Sequence, residues 1–230
     1  MVDQIPGWMS VPEAAGHLRV SPAQVRDLAK AGQLTTIKPG RSLLVSSDSV
    51  FRRAAANPAP GRPLAPKAAW TVLLLASGES LPWKIPSSEK VRLARFVQRP
   101  LQEWPRLFGR RADIIRARIP DALRQRVQAQ PGVALGGIGA GSRHGANLVV
   151  SSADSVELYL TSDAHVALRE RGGIGWDSAS PNAVLRVVGV PLDEVFSAGV
   201  VPLAAAAADL LDQGDDRSQR AAAELLKRDR

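Results

Sequence analysis

Residues 21–30 bring together side chains that can hydrogen-bond to the edges of nucleic-acid bases. Gln24 offers an amide, Arg26 a guanidinium group and Lys30 an ammonium group. Glutamine can pair with an adenine edge, and arginine can pair with guanine or bind a phosphate. The candidate contact set is completed by flanking residues and by a second basic cluster, at Ser21, Ala23, Asp27, Lys38, Arg41 and Ser42.

Asp27 is the acidic exception in this set. Its carboxylate could accept a hydrogen bond from a cytosine amino group. Because Lys30 follows three residues later on the same helix face, we expect the two side chains to pair with each other instead.

Two capping sequences define the helices that would present these side chains. Ser10 and Glu13 can form a capping box at the start of one helix, and Ser21 and Gln24 can form the same box at the next. Such a cap contributes only about 1 kcal/mol, but it fixes where a helix begins. Gly32 suits the left-handed position that ends the second helix.

The second helix has one apolar and one polar face. At about 100° per residue, Val25, Leu28 and Ala29 fall on the same side. This side would pack on apolar residues of the first helix and the turn, namely Ala14, Ala15, Leu18 and Val20. The opposite side carries the candidate contact residues.

A basic β-hairpin is predicted after the second helix. Residues 34–37 and 43–45 have strand character, and residues 38–42 join them in a turn. With Lys38 and Arg41 at its tip, the hairpin could lie along phosphates or in a minor groove.

Residues 10–53 together predict a winged helix-turn-helix whose second helix enters the major groove of DNA. They resemble the excisionase and MerR-type DNA-binding domains in four segments, at residues 11–15, 18–26, 32–34 and 39–41. The resemblance implies binding to double-stranded DNA. A helix-turn-helix used only for packing or for a protein contact remains the alternative.

The charge of the chain is uneven. Residues 1–128 carry 21 Lys and Arg against 9 Asp and Glu, whereas residues 129–230 carry 9 against 13. A basic front half is expected if that half meets a polyanion. The sequence has no Cys and no apolar run near the ~20 residues that a bilayer requires, so we expect a soluble, cytoplasmic protein without a membrane contact.

The predicted fold class is α+β, with an N-terminal winged helix-turn-helix domain, a Pro-rich linker, and an α/β C-terminal domain with a few strands and closing helices. The predicted boundaries are 1–55 for the DNA-binding domain, 56–66 for the linker, 67–109 for a helical connecting region and 110–230 for the C-terminal domain.

Several local features are predicted within this plan. Ser47 or Asp48 should cap a third helix, and Ser162 should cap a helix over residues 163–170. A strand is expected at residues 147–150.

The segment Gly136–Gly141 lies between a predicted strand and a predicted helix, as a dinucleotide-binding loop would. Its glycine spacing fails the fingerprint, and the Lys of a phosphate-binding loop is missing. We therefore expect the glycines to permit a tight turn and close helix packing.

No catalytic, metal-binding or cofactor-binding residue is predicted, so we expect a protein that is not an enzyme. The three histidines, His17, His144 and His165, are scattered without a metal-ligand spacing. A cluster of acidic residues near the end of the chain is interpreted as helix caps and a solvated loop; its members are Asp209, Asp212, Asp215 and Asp216.

The back half resembles AbiEi-type antitoxins of bacterial type IV toxin–antitoxin systems. The segments that carry the resemblance are 132–140 followed by His144-Gly145, 156–163, and 201–226. The resemblance implies an autoregulating transcriptional repressor that often binds inverted repeats and counters a nucleotidyltransferase toxin. The excisionase-like head departs from that family and leaves the operator geometry open.

The sequence thus predicts a sequence-specific DNA-binding transcriptional repressor and antitoxin, with the number of subunits left open. Three alternatives remain. They are an excisionase-like architectural DNA-binding protein, a nucleotide-binding enzyme that uses Gly136–Gly141, and a regulator whose back domain senses a small molecule.

Overall fold

The computed structural model describes residues 7–18, 20–40, 42–56, 62–148 and 155–228. The chain divides into two compact units, Met1–Gly61 and Arg62–Arg230. Each unit has its own hydrophobic core, and the α+β class is confirmed.

The first unit is a small helical domain with a three-stranded sheet. Its elements are β1 (Trp8–Ser10), α1 (Val11–Leu18), α2 (Pro22–Lys30), β2 (Thr36–Ile37), β3 (Leu44–Ser46) and α3 (Ser47–Ala56). Strand β3 lies in the middle and pairs antiparallel with both β1 and β2. The β2–β3 hairpin confirms the predicted wing, and β1 adds a strand that the sequence did not predict.

Both capping boxes form as predicted. The Ser10 N–H donates to Glu13 Oε2 over 2.7 Å, and the Glu13 N–H donates to Ser10 Oγ over 3.3 Å. The Ser21 N–H donates to Gln24 Oε1 over 2.9 Å, and the Gln24 N–H donates to Ser21 Oγ over 3.2 Å. Gly32 has a φ of 68°, which suits the glycine predicted after α2.

The cap of α3 differs from the prediction. Ser47 is already the first residue of the helix, so neither it nor Asp48 precedes the helix as a cap. The Ser46 hydroxyl accepts a hydrogen bond from the Ser49 N–H at 3.5 Å. The last residue of β3 therefore serves as the cap, because strand and helix follow each other directly.

The second unit begins with helices and continues with alternating helices and strands. Its first helices are α4 (Pro66–Ala76), α5 (Ser87–Ala94) and α6 (Trp104–Leu107), with short 3₁₀ turns at Arg95–Gln98 and Leu101–Glu103. The central elements are β4 (Asp113–Arg118), α7 (Asp121–Gln128), β5 (Val133–Leu135), α8 (Gly137–Arg143), β6 (Val156–Thr161) and α9 (Ser162–Arg171). The last are β7 (Gly175–Trp176), β8 (Ala183–Val188), α10 (Asp193–Phe196), α11 (Leu203–Gln213) and α12 (Asp216–Arg228).

Five strands form one sheet in the order β5-β6-β8-β4-β7. Strands β6 and β8 are parallel, and the other neighbouring pairs are antiparallel. Side chains alternate along β6, so Leu158 and Leu160 enter the core beneath α7 and α9, whereas Tyr159 enters the core on the opposite face. Strand β6 is consequently buried on both of its faces.

Helices α4 to α6 share the core that contains Tyr159. Trp70, Trp104 and Phe108 are fully or almost fully buried in it, and Trp70 Nε1 donates to the Arg111 carbonyl oxygen over 2.8 Å. The segment predicted as a connecting region, residues 67–109, is therefore a structural part of the second unit.

Three further predictions are either wrong or fall partly outside the described residues. Helix α9 begins at Ser162 itself, and its cap is Thr161, whose hydroxyl accepts from the Ala164 N–H at 3.4 Å. Within the strand expected at 147–150, residues 147 and 148 form no strand, and the other two lie outside the described residues. Of the predicted linker, residues 57–61 also lie outside them.

Candidate nucleic-acid interface

Helix α2 presents its predicted polar face to solvent. Val25 is fully buried, and Leu28 packs beside it against the core of the first unit. Ala23 and Asp27 each stand two residues from Val25, which places them about 160° around the helix from it. They form the centre of the outward face, together with exposed side chains at Gln24, Arg26 and Lys30.

Gln24 already uses its amide oxygen within the protein. Gln24 Oε1 accepts from the Ser21 N–H at 2.9 Å and lies 3.2 Å from Ser21 Oγ. A bidentate pair with adenine would need that oxygen together with the amide nitrogen. The observed contact is therefore a capping contact, and base reading by Gln24 stays a prediction.

Arg26 and Lys30 are not engaged within the protein. Both side chains are exposed, and among the described residues neither makes an ion pair or a side-chain hydrogen bond. Two unengaged cations on the outward face of a helix can bind phosphates or accepting base edges without first breaking an internal contact.

The predicted pair between Asp27 and Lys30 is absent. No ion pair joins these two described side chains, although they lie three residues apart on one helix. A pairing of this kind between exposed groups is worth only a few tenths of a kcal/mol (about 0.3–0.5), so solvation competes with it easily.

The β2–β3 hairpin, which follows α2 in the sequence, carries the second basic cluster of the predicted contact set. Ile37 lies opposite Leu44 in the hairpin, and the Ser42 N–H donates to the Pro39 carbonyl oxygen over 3.4 Å to close the turn. Lys38 is exposed at this turn, whereas Ser42 is half-buried. Arg41, which completes the predicted set, lies outside the described residues.

The glycine-rich segment of the second unit has a structural role. The Gly137 N–H, at the start of α8, donates to Asp209 Oδ2 over 2.8 Å. Gly137 has a φ of 58°, and a Cβ atom there would lie within 2.5 Å of the Glu157 carboxyl group. An internal carboxylate thus accepts a hydrogen bond from a backbone N–H at the start of α8, and the close approach to Glu157 agrees with the tight turn predicted for these glycines.

A buried ionic network surrounds this contact, and the sequence did not reveal it. Arg111 donates to Tyr159 Oη over 2.7 Å and to both Asp209 and Asp212 over 2.5 Å. Arg186 on β8 donates two hydrogen bonds to Glu157 Oε2 on the neighbouring strand β6, over 3.1 Å and 3.4 Å. The network joins charged side chains from β6, β8 and α11 with Arg111, which lies in the loop before β4.

The network corrects the interpretation of the acidic cluster. Asp209 is fully buried and held by Arg111, so it belongs to the core rather than to a solvated loop. Burial alone would raise the pKa of Asp209, but the charges of Arg186 and Arg111 outweigh it and hold the pKa below its usual value. Asp215, by contrast, caps α12 as predicted, since the Ser218 N–H donates to Asp215 Oδ1 over 2.9 Å.

Glu157 responds to the same network in the opposite sense. Its pKa is raised, chiefly because burial disfavours the charged carboxylate and secondly because Asp209 repels it, while Arg186 opposes both effects. Its other oxygen accepts from Gln213 Nε2 over 2.7 Å. The signal that could have revealed the network is the placing of polar residues in apolar surroundings, with Tyr159 in a buried strand and Asp209 after a run of alanines.

The histidines make protein contacts. His144 Nε2 lies 2.8 Å from the Val201 carbonyl oxygen, and Arg169 Nε donates to His165 Nε2 over 2.9 Å. Within the described ranges, no group of three or more His, Asp or Glu residues is arranged to hold a metal ion. In the same ranges, no helix has the length and apolar character needed to cross a membrane.

Comparison with known proteins bears on the first unit. A family model described as a helix-turn-helix domain matches residues 8–58. No curated protein and no solved structure matches the chain. The match and the fold together support a DNA-binding helix-turn-helix N-terminus, followed by a mixed helix-and-strand second unit.

Proposed function

We propose that this protein is a sequence-specific transcriptional repressor that acts by binding an operator and carries out no catalysis. The observation that carries the proposal is the outward face of α2. It is solvent-exposed opposite the buried Val25, and its two cations have no internal partner among the described residues.

The expected mode of binding follows the usual geometry of a winged helix-turn-helix. Helix α2 enters the major groove, with the residues of its first turns nearest the bases. Arg26 reads a guanine or binds a phosphate, and Lys30 adds electrostatic attraction. Lys38 and Arg41 in the wing bind phosphates of the DNA that flanks the groove. Because each phosphate contact releases counterions, binding should weaken steeply as salt is added.

The finer proposal is that the repressor is the antitoxin of an autoregulated operon whose toxin is a nucleotidyltransferase. Its support is the resemblance of residues 110–230 to AbiEi-type antitoxins. In the structure, β5, the small-residue helix α8 and His144 follow one another in the order on which that resemblance rests. The antitoxin could neutralise the toxin by repressing its expression or by contacting it directly, and the order of these elements is consistent with both.

An architectural role is the second candidate, favoured by the excisionase-like pattern of the first unit. A protein of that class bends DNA without controlling a promoter. Gel-shift phasing with a bent reference fragment measures bending, and a promoter fusion measures repression. Strong bending without repression would favour the architectural role.

The two arms of the main proposal are tested separately. A reporter driven by the DNA upstream of the gene should be repressed by the protein and released by the double variant Lys30→Ala, Lys38→Ala. Repression that persists in the double variant would contradict DNA binding through α2 and the wing.

The antitoxin arm is tested with a neighbouring open reading frame of nucleotidyltransferase type. Its expression alone should arrest growth, and co-expression of this protein should restore growth. Arrest that is unrelieved by co-expression would contradict the antitoxin role and leave the repressor role standing.

A further inference from the structure

Asp27 occupies the centre of the surface that α2 would insert into the groove. It lies about 160° around the helix from the buried Val25, as does Ala23 one turn earlier. The methyl side chain of Ala23 is the smallest that a non-glycine residue can carry there. The helix can therefore approach the base edges closely, and this approach brings the Asp27 carboxylate close to the bases as well.

No contact within the protein neutralises this carboxylate. Asp27 is exposed, and within the described residues its side chain has neither an ion pair nor a hydrogen bond. The two neighbouring cations, Arg26 and Lys30, are exposed on the same helix, next to each other on one side of Asp27, and can bind phosphates there. Because Asp27 lies opposite the buried Val25, its carboxylate faces the base edges when α2 lies in the major groove.

Carboxylates discriminate sharply among the four bases. They can only accept hydrogen bonds, and in the major groove guanine presents two acceptors and thymine an acceptor and a methyl group. Adenine offers an amino group, but its N7 acceptor stands beside it and would repel the carboxylate. Cytosine offers its N4 amino group with no acceptor next to it on the same base.

We infer that Asp27 is a specificity-determining residue that selects a cytosine at one position of the operator through the N4 amino group. This inference rests on the proposed DNA-binding function and deepens it. Asp27 contributes little attraction to DNA in general, because phosphates repel it. Its effect is to penalise every sequence that lacks the cytosine.

The test is selection of preferred sites from a randomised duplex library by the full chain and by three variants. The variants are Asp27→Ala, Asp27→Asn and, as a matched loss of charge away from α2, Asp48→Asn. Asp48 is exposed in the first turn of α3. All three changes are at exposed positions, where substitutions have small effects on stability.

The wild-type chain should prefer one cytosine by about 5- to 100-fold over other bases, as expected for a good base contact. Asp27→Ala should abolish the preference at that position alone and bind random DNA more tightly. Asp27→Asn should shift the preference toward adenine, because an amide pairs with the adenine N6 and N7. Asp48→Asn should reproduce the wild-type profile.

An unchanged profile for Asp27→Ala, with a specific wild-type site still present, would overturn the role of Asp27 and leave the repressor proposal intact. A wild-type chain that selects no site would overturn both. A preference lost equally in Asp48→Asn would show that net charge, and not the position of Asp27, is responsible.

Discussion

At the scale of single residues, the structure separates Gln24 from Arg26, although the sequence predicts base contacts for both. The amide oxygen of Gln24 is held by the Ser21 N–H, so this residue stabilises the start of α2. Arg26 has no internal partner among the described residues and is free to contact DNA. The capping contact and a bidentate base contact compete for the same oxygen, which makes Arg26 the stronger candidate for base reading.

The first prediction concerns Arg26. Replacing it with alanine should weaken binding to the operator by about 1–3 kcal/mol if it pairs with a base. If it contacts a phosphate instead, affinity for all sequences should fall and the slope of log K against log salt should flatten by about one. Titrations by fluorescence anisotropy at several salt concentrations distinguish the two outcomes. Isotherms equal to wild type at every salt concentration would remove Arg26 from the interface.

The second prediction concerns the capping role of Gln24. Gln24→Ala should lower the free energy of opening α2 by about 1 kcal/mol, because the Ser21 N–H loses its acceptor. Gln24→Glu keeps an acceptor and adds a negative charge at a helix start, so it should retain the protection. Hydrogen exchange of the α2 amides measures both. Equal protection in the alanine variant and the wild type would contradict the capping role.

At the scale of elements, the entry into α8 depends on a glycine that no other residue can replace without strain. Gly137 has a positive φ, and its Cα faces the side chain of Glu157. Close approach at this point allows the Gly137 N–H to reach Asp209 on α11. The turn thereby links α8, β6 and α11.

The third prediction follows from that geometry. Gly137→Ala should destabilise the second unit by about 2 kcal/mol or more, since it combines a left-handed backbone with a steric clash. Gly189→Ala is the matched control, because Gly189 has an ordinary φ and a Cβ atom added there would lie in open space. Denaturant unfolding followed by Trp fluorescence measures both variants. Similar midpoints for the two would show that the clash is relieved at little cost.

The fourth prediction concerns the ion pair between Arg111 and Asp209, the residue that also accepts from the Gly137 N–H. Asp209→Asn removes one of the two carboxylates that pair with the fully buried Arg111, the other being Asp212, and this loss should cost about 3–5 kcal/mol. Asp216→Asn, in the exposed first turn of α12, should leave stability nearly unchanged. Thermal unfolding of the two variants makes the comparison. A small loss for Asp209→Asn would mean that Asp212 alone can neutralise Arg111.

At the scale of the whole molecule, the positive charge of the front half lies mostly outside the helix-turn-helix. Residues 1–61 carry 7 Lys and Arg against 4 Asp and Glu, whereas residues 62–128 carry 14 against 5. Part of the second excess is neutralised locally, since Arg99 and Arg106 both lie near Glu103. The affinity of the first unit for DNA therefore depends on the placing of a few cations rather than on a large net charge.

The features that the sequence predicts correctly are those whose determining residues are close together in the chain. Both capping boxes, Gly32 and the wing are specified by residues close together in the chain. The Arg111–Asp209 pair joins residues 98 positions apart, and no local pattern indicates such a partner. Strand β1 was missed for a related reason, because its three residues become a strand only by pairing with β3.

The central claim is that α2 and the wing bind duplex DNA, and the most direct measurement is a fluorescence anisotropy titration of the full chain with DNA from upstream of its gene. The comparison protein is the triple variant Arg26→Ala, Lys30→Ala, Lys38→Ala. The wild type should bind this DNA more tightly than a scrambled duplex and weaken steeply with salt, and the variant should lose most of the affinity. Failure of the wild type to bind any duplex at low ionic strength, or equal binding by the variant, would contradict the claim.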